Sequence, residues 1–112
     1  MAQMKFKLLI LEDAQEDMKD LRRYIVRGFG AETWKPTSVQ LAVTFESIKV
    51  SPQSGFVPAE LSDFGGLSCR EALSGQNRII YEVRGDTIYI HVVTDTRRDL
   101  RTLLQKRLLG SR

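Results

Sequence analysis

The sequence predicts a small α+β fold with the element order β-α-α-β-β-β-α. Three observations predict it. Two apolar stripes at helical spacing fill residues 13–50. Three short apolar runs parted by tight turns fill residues 67–93. A leucine stripe then returns to helical spacing from Leu100 to Leu108.

The opening run "MKFKLLIL" reads as a strand, with Phe6, Leu8 and Ile10 on one face and Lys5 and Lys7 on the other. In "EDAQEDMKDLRRYIVRGFG", Ala14, Met18, Leu21, Ile25 and Phe29 recur at helical steps. Asp13 is the expected N-cap, with Glu16 three residues on as in a capping box. Gly28 and Gly30 supply the stop. Trp34, Leu41, Phe45 and Ile48 share a face of a second helix. Pro36 fits only its first turn, so that helix is expected to start near Thr33 and to end at "SPQSG". The two stripes predict a helical hairpin lying on a sheet.

"FVPAELSDFGG" reads as a loop with a short extended piece. The three strands are expected at Leu67–Leu73, Asn77–Val83 and Thr87–Val93, joined by "SGQ" and "RGD". Connections this short join only antiparallel neighbours. Ile79, Tyr81 and Val83 should share one face, against Arg78, Ile80 and Glu82. In the next strand Ile88, Ile90 and Val92 should oppose Tyr89, His91 and Val93.

A chain of 112 residues holds one domain with one modest core, residues 1–112, and not two. It is 42% hydrophobic and 28% charged, which excludes a disordered chain. No apolar run approaches the roughly 20 residues of a membrane span. The four apolar residues Leu8–Leu11 are too short for a signal-peptide core, so no membrane partner is expected. Cys69 is the one cysteine, which allows no internal disulfide and fits a reducing cytoplasm. Residues 1–66 carry eight Lys/Arg against nine Asp/Glu, and residues 67–112 carry nine against five. The basic second half hints at an anionic partner, although a solvated surface has the same composition.

Few catalytic sets can be built from these residues. One His and one Cys cannot make the usual His/Cys metal cluster, and no glycine-rich phosphate loop is present, so neither metal nor cofactor is expected. A Cys69–His91 nucleophile pair is conceivable, but a lone strand cysteine is more often a small core residue. The pair Glu12–Asp13 complements a helix dipole rather than forming an acid–base couple. The arginines carry more. In an antiparallel pair the start of one strand lies beside the end of the next. Arg78 should therefore meet Arg97 and Arg98 at one end of the sheet, with Arg70 from the preceding strand. Such a cluster would attract phosphate, unless each arginine is paired with Glu71, Glu82, Asp95 or Asp99. His91 is the side chain with an ordinary pKa near neutrality, fit for acid–base work or for a half-buried strand position. Tyr81 and Tyr89 suit strand packing, with base stacking as the other use.

The run "NRIIYEVRGDTIYIHVV" followed by "DTRRDL" resembles the RelE/ParE superfamily of bacterial type II toxins. The most specific part is Arg78-Ile79-Ile80-Tyr81 with the turn and strand after it, and the resemblance covers almost the whole chain. It implies two helices packed on a small curved antiparallel sheet. It implies a small cytoplasmic protein held inactive by a cognate antitoxin. RelE-like members cut messenger RNA on the ribosome with basic residues and no metal; ParE-like members poison DNA gyrase.

On the nuclease reading Arg78 and Arg98 match the family's arginines, and His91 would complete a catalytic set. Arg70, Tyr81, Arg97 and Arg101 would bind substrate, Arg70 standing where the family's nucleases carry lysines. The C-terminal run "RTLLQKRLL" lacks the aromatic residue those nucleases often have there. RNA cleavage needs a base, charge on the phosphate and a proton donor; arginine serves the second role best. Val39, Val43 and Val50 lie off the main stripe of the second helix and are the expected antitoxin contacts. Three readings follow: a ribosome-dependent endoribonuclease, a gyrase poison without a catalytic site, and a non-toxin nucleic-acid-binding module.

Overall fold

One glycine turns the first helix into the second. Gly30 has φ +96°, where a side chain is strained, and it both ends α1 (Glu12–Phe29) and starts α2 (Ala31–Val50). The computed structural model describes residues 6–64 and 69–108, without the side chains of 62–64 and 108. Its order is β1 (Lys7–Ile10), α1, α2, β2 (Cys69–Ser74), β3 (Asn77–Arg84), β4 (Thr87–Asp95) and α3 (Leu100–Leu108). Two 3-10 segments, Pro52–Ser54 and Ala59–Phe64, link α2 to β2. The expected order is observed. Phe56 supplies the expected extended piece by bridging Glu71.

Several local readings change. The cap of α1 is Leu11, with no side-chain cap bond, and Asp13 lies inside the helix. The Leu11 N–H is instead tied to the Ile90 carbonyl (3.1 Å), so strand pairing fixes the helix start. Ala14, Leu21 and Ile25 are buried as the stripe requires, but Phe29 is 62% exposed and meets the Tyr24 ring edge-on. α2 begins before Thr33 and holds Pro36 in its interior. Proline there forgoes one intrahelical bond, and Leu41, Phe45 and Ile48 hold the helix down by burial. Leu67 and the side chain of Leu108 fall outside the described residues.

The sheet runs β1-β4-β3-β2. Strands β2, β3 and β4 pair antiparallel through two-residue turns at Gly75–Gln76 and Gly85–Asp86. Both glycines have φ +59°, as such hairpin turns demand. β1 departs from the antiparallel expectation and pairs parallel to β4, from Lys7 opposite Thr87 to Ile10 opposite Ile90. The whole helical hairpin separates β1 from the other strands, so no tight turn dictates its direction.

The inner face packs on α1 and α2 through Ile79, Tyr81, Ile88, Ile90 and Val93. The outer face holds Cys69, Ile80 and Val92 under Leu61, Leu100 and Leu104. Val92 and Val93 thus lie on the faces opposite to those the alternation predicts. The reason is a bulge in β4: Tyr81 pairs with Ile90 and Ile80 with Val92, which leaves His91 as an extra residue. From that point the phase of β4 inverts.

Candidate functional site

The structure does not gather the arginines into one cluster. They divide between the two faces of the sheet, because neighbouring strand residues point opposite ways. Arg78 lies on the outer face. Its Nε donates to Glu71 Oε2 at 2.6 Å and its Nη2 to Glu71 Oε1 at 2.8 Å. The same guanidinium reaches both Glu60 oxygens at 3.1 and 3.2 Å. Glu71 is 1% exposed, so this is a buried, doubly compensated ion pair. The two carboxylates raise the Arg78 pKa, Glu71 most, and the Arg78 bond lowers that of Glu60. Arg101, on exposed α3 surface, lowers Glu60 further by charge alone.

Arg70 points to the other face and donates to the Gly55 carbonyl at 2.8 Å. Tyr81 is fully buried there, and its hydroxyl donates to the Pro52 carbonyl at 2.7 Å. It is a core residue whose ring no base can reach. Arg97 and Arg98 line a cavity of about 200 Å³ between α1 and the end of β4, with Asp17, Asp20, Tyr24 and Asp95. Arg97 pairs with Asp95 at 3.0 Å and donates to the Tyr24 hydroxyl at 3.0 Å. Its guanidinium holds Asp95 below the usual carboxylate range. Of the two arginines of the nuclease reading, Arg78 is thus held by Glu71 and Glu60 on the outer face, and Arg98 lines the cavity beside α1.

His91 also lies apart from Arg78, with the Ile80–Val92 pair between them. Its Nε2 is 2.9 Å from Glu82 Oε1, and Glu82 Oε2 takes a bond from Arg84 Nε at 3.0 Å. Burial raises Glu82, but the bonds from Arg84 and His91 outweigh it and leave the carboxylate below its ordinary value. Cys69 is close by, and burial with the Glu82 charge pushes its thiol up to about 11. A thiol held neutral is a poor nucleophile, so the Cys69–His91 pair loses its chemistry.

Of the acids the sequence offered as arginine partners, Glu71 pairs with Arg78, Glu82 with Arg84 and Asp95 with Arg97, while Glu60 was not foreseen. Sequence reasoning also missed Asp17, which accepts from the Val93 N–H at 3.0 Å and from Arg107 Nη2 at 2.6 Å. Arg107 in turn donates to the His91 carbonyl at 2.9 Å, so one pair ties α1, β4 and α3 together. A weak signal existed: Asp17 lies one residue before Met18 on the buried stripe of α1. Of the expected antitoxin contacts, Val39 and Val43 are exposed, and Val50 is half-buried.

Residues 8–100 match the family model described as ParE toxin of type II toxin–antitoxin system, parDE. The chain belongs to the ParE toxin family. A search of curated protein sequences gave no significant match. Solved structures agree on the fold of the toxin. The chromosomal ParDE system of P. aeruginosa superposes with a TM-score of 0.68 at 13% identity, over 84% of this chain and 98% of the other. A double arginine-to-alanine mutant of the E. coli toxin RelE, in its free state, gives 0.64 at 15% identity, over 97% and 100%. As a toxin of a type II module, the protein has an antitoxin as its partner. No helix among the described residues is long and apolar enough to cross a membrane.

Proposed function

We propose that this toxin arrests growth in the cytoplasm by docking on DNA gyrase, without cutting RNA. The state of Arg78 carries the reading. Cleavage needs a guanidinium free to meet a phosphate, and Glu71 and Glu60 occupy this one from both sides. The separation of His91 from Arg78 by the Ile80–Val92 pair supports the same reading. So does the family matched, whose resemblance implies gyrase poisoning.

The ribonuclease reading keeps one observation in its favour. His91 and Glu82 form a hydrogen-bonded couple beside the sheet's outer face, which is the geometry of a positioned base. Two assays on the purified chain separate the readings. Gyrase should lose plasmid supercoiling in its presence, while ribosome-bound messenger stays intact. In growing cells DNA synthesis should stop before protein synthesis. Messenger cleavage with gyrase unaffected would replace this proposal with the ribonuclease. No growth arrest without the antitoxin would remove both.

A further inference from the structure

One His and one Cys make no metal cluster alone, but the sheet adds a carboxylate to them. Cys69 stands opposite Glu82 across β2 and β3, and Glu82 opposite Tyr89 across β3 and β4. His91 is the extra residue of the β4 bulge, and its Nε2 comes to 2.9 Å from Glu82 Oε1. Bulges commonly re-aim a side chain in this way. One donor atom from each of the three residues lies within 4.8 Å of the other two.

We propose that Cys69, Glu82 and His91 form a binding site for one divalent zinc-class ion. A thiolate, an imidazole and a carboxylate are the three donor types zinc takes; the ion displaces the proton of the neutral Cys69 thiol to solvent as it binds, and three protein ligands leave a fourth position for water. With bonds of about 2.0–2.3 Å, tetrahedral donors sit about 3.3–3.8 Å apart, so side-chain rotations of about 1 Å close the set. The three come from adjacent strands of one sheet, which fixes their backbones before any ion arrives. Two further bonds prepare the ligands. Arg84 holds Glu82 Oε2 at 3.0 Å and leaves Oε1 turned to His91. Arg107 holds the His91 carbonyl at 2.9 Å. The His91 and Glu82 side chains are 14% and 13% exposed, sheltered yet open to an entering ion. The site stands whichever target the toxin has.

Cobalt(II) alone, titrated into the reduced full-length chain, reads the site directly. One equivalent should give a thiolate-to-cobalt charge-transfer band in the near ultraviolet and intense visible bands of tetrahedral cobalt. One equivalent of zinc should abolish both and raise the unfolding temperature. Cys69→Ser should lose the charge-transfer band. His91→Gln should weaken zinc by more than the roughly 10- to 100-fold that losing a ligand's hydrogen-bond partner costs. A pale six-coordinate cobalt spectrum on the parent chain overturns the site without any variant. So does a charge-transfer band that survives in Cys69→Ser, or zinc affinity unchanged in His91→Gln.

Discussion

The two faces of the sheet are made from alternate residues of the same strands, yet they are held by different forces. The inner face under α1 and α2 is apolar, and the buried Tyr81 hydroxyl is answered by the Pro52 carbonyl. The outer face has a thinner cover, a 3-10 segment and the nine-residue α3. Beside its small apolar cluster lie Glu71, Arg78, Glu60, Glu82 and His91, satisfied by one another. A cover that small cannot exclude polar residues from the face, so their mutual pairing must replace hydration. The inner face is therefore sensitive to volume, and the outer face to charge.

The largest break should come from Arg78→Ala. It leaves the Glu71 carboxylate buried without its main partner, which costs about 3–5 kcal/mol. Replacing both Glu71 and Arg78 with apolar residues of similar volume should restore much of that loss, as read by urea midpoints. A loss in Arg78→Ala of under about 1 kcal/mol would mean the pair is a surface contact. Loss of toxicity in this variant therefore indicates catalysis only if the folded fraction is held constant.

The next effect tests volume on the inner face. Gly55 has φ −70°, a value any residue adopts, so space and not conformation requires glycine there. A methyl group on it would collide with the Tyr81 hydroxyl and come within 2.9 Å of the Glu71 carbonyl. Gly55→Ala should cost about 1–3 kcal/mol. Tyr81→Phe alone should cost about 0.5–1.5 kcal/mol for the lost bond to Pro52. In the Tyr81→Phe background the Gly55→Ala cost should shrink, and simple additivity of the two would place the clash elsewhere.

These positions also mark what the sequence made legible. The element order, the two helical stripes and the hairpin turns could be read because period and glycine placement are local. The alternation of β3 was legible too, and Arg78 stands on the face predicted for it. The phase of β4 was not, since the bulge at His91 follows from pairing with a partner strand. The arginine cluster failed for a related reason. Backbone adjacency of Arg78 and Thr94 was inferable, but after β4 ends Arg97 turns to Tyr24 of α1, and Arg98 lines the same cavity. Of the partners of Arg78, Glu71 was among the acids the sequence offered, but Glu60 lay eighteen residues away.

Acid should act on the outer face first. Arg78 holds Glu60 below its ordinary 4.5, and Arg97 holds Asp95, at the sheet end, below 3.8. A depressed folded pKa contributes stability that is whole above the unfolded value and is lost as pH falls through the folded one. The urea midpoint should therefore hold above pH 4.5 and fall below it, with the Asp95 contribution lost only below pH 3.8. Arg97→Gln should flatten that lower part. A midpoint independent of pH through this range would show that neither pair matters to folding.

The smallest effect on stability should come from α2, and it sharpens the question of where the antitoxin lies. Val39 and Val43 are 56% and 63% exposed and four residues apart, so they form one outward patch. Val39→Asp and Val43→Asp should change stability by no more than about 0.5 kcal/mol. If an apolar helix face of the antitoxin covers the patch, each should weaken its binding at least about tenfold. Val50 is the contrast, because it is half-buried and its loss mixes folding with binding. Antitoxin affinity unchanged in both exposed variants would move the contact off α2. Among the other exposed apolar residues, Leu9 on β1 and Leu73 on β2 lie on the two edge strands and would be next.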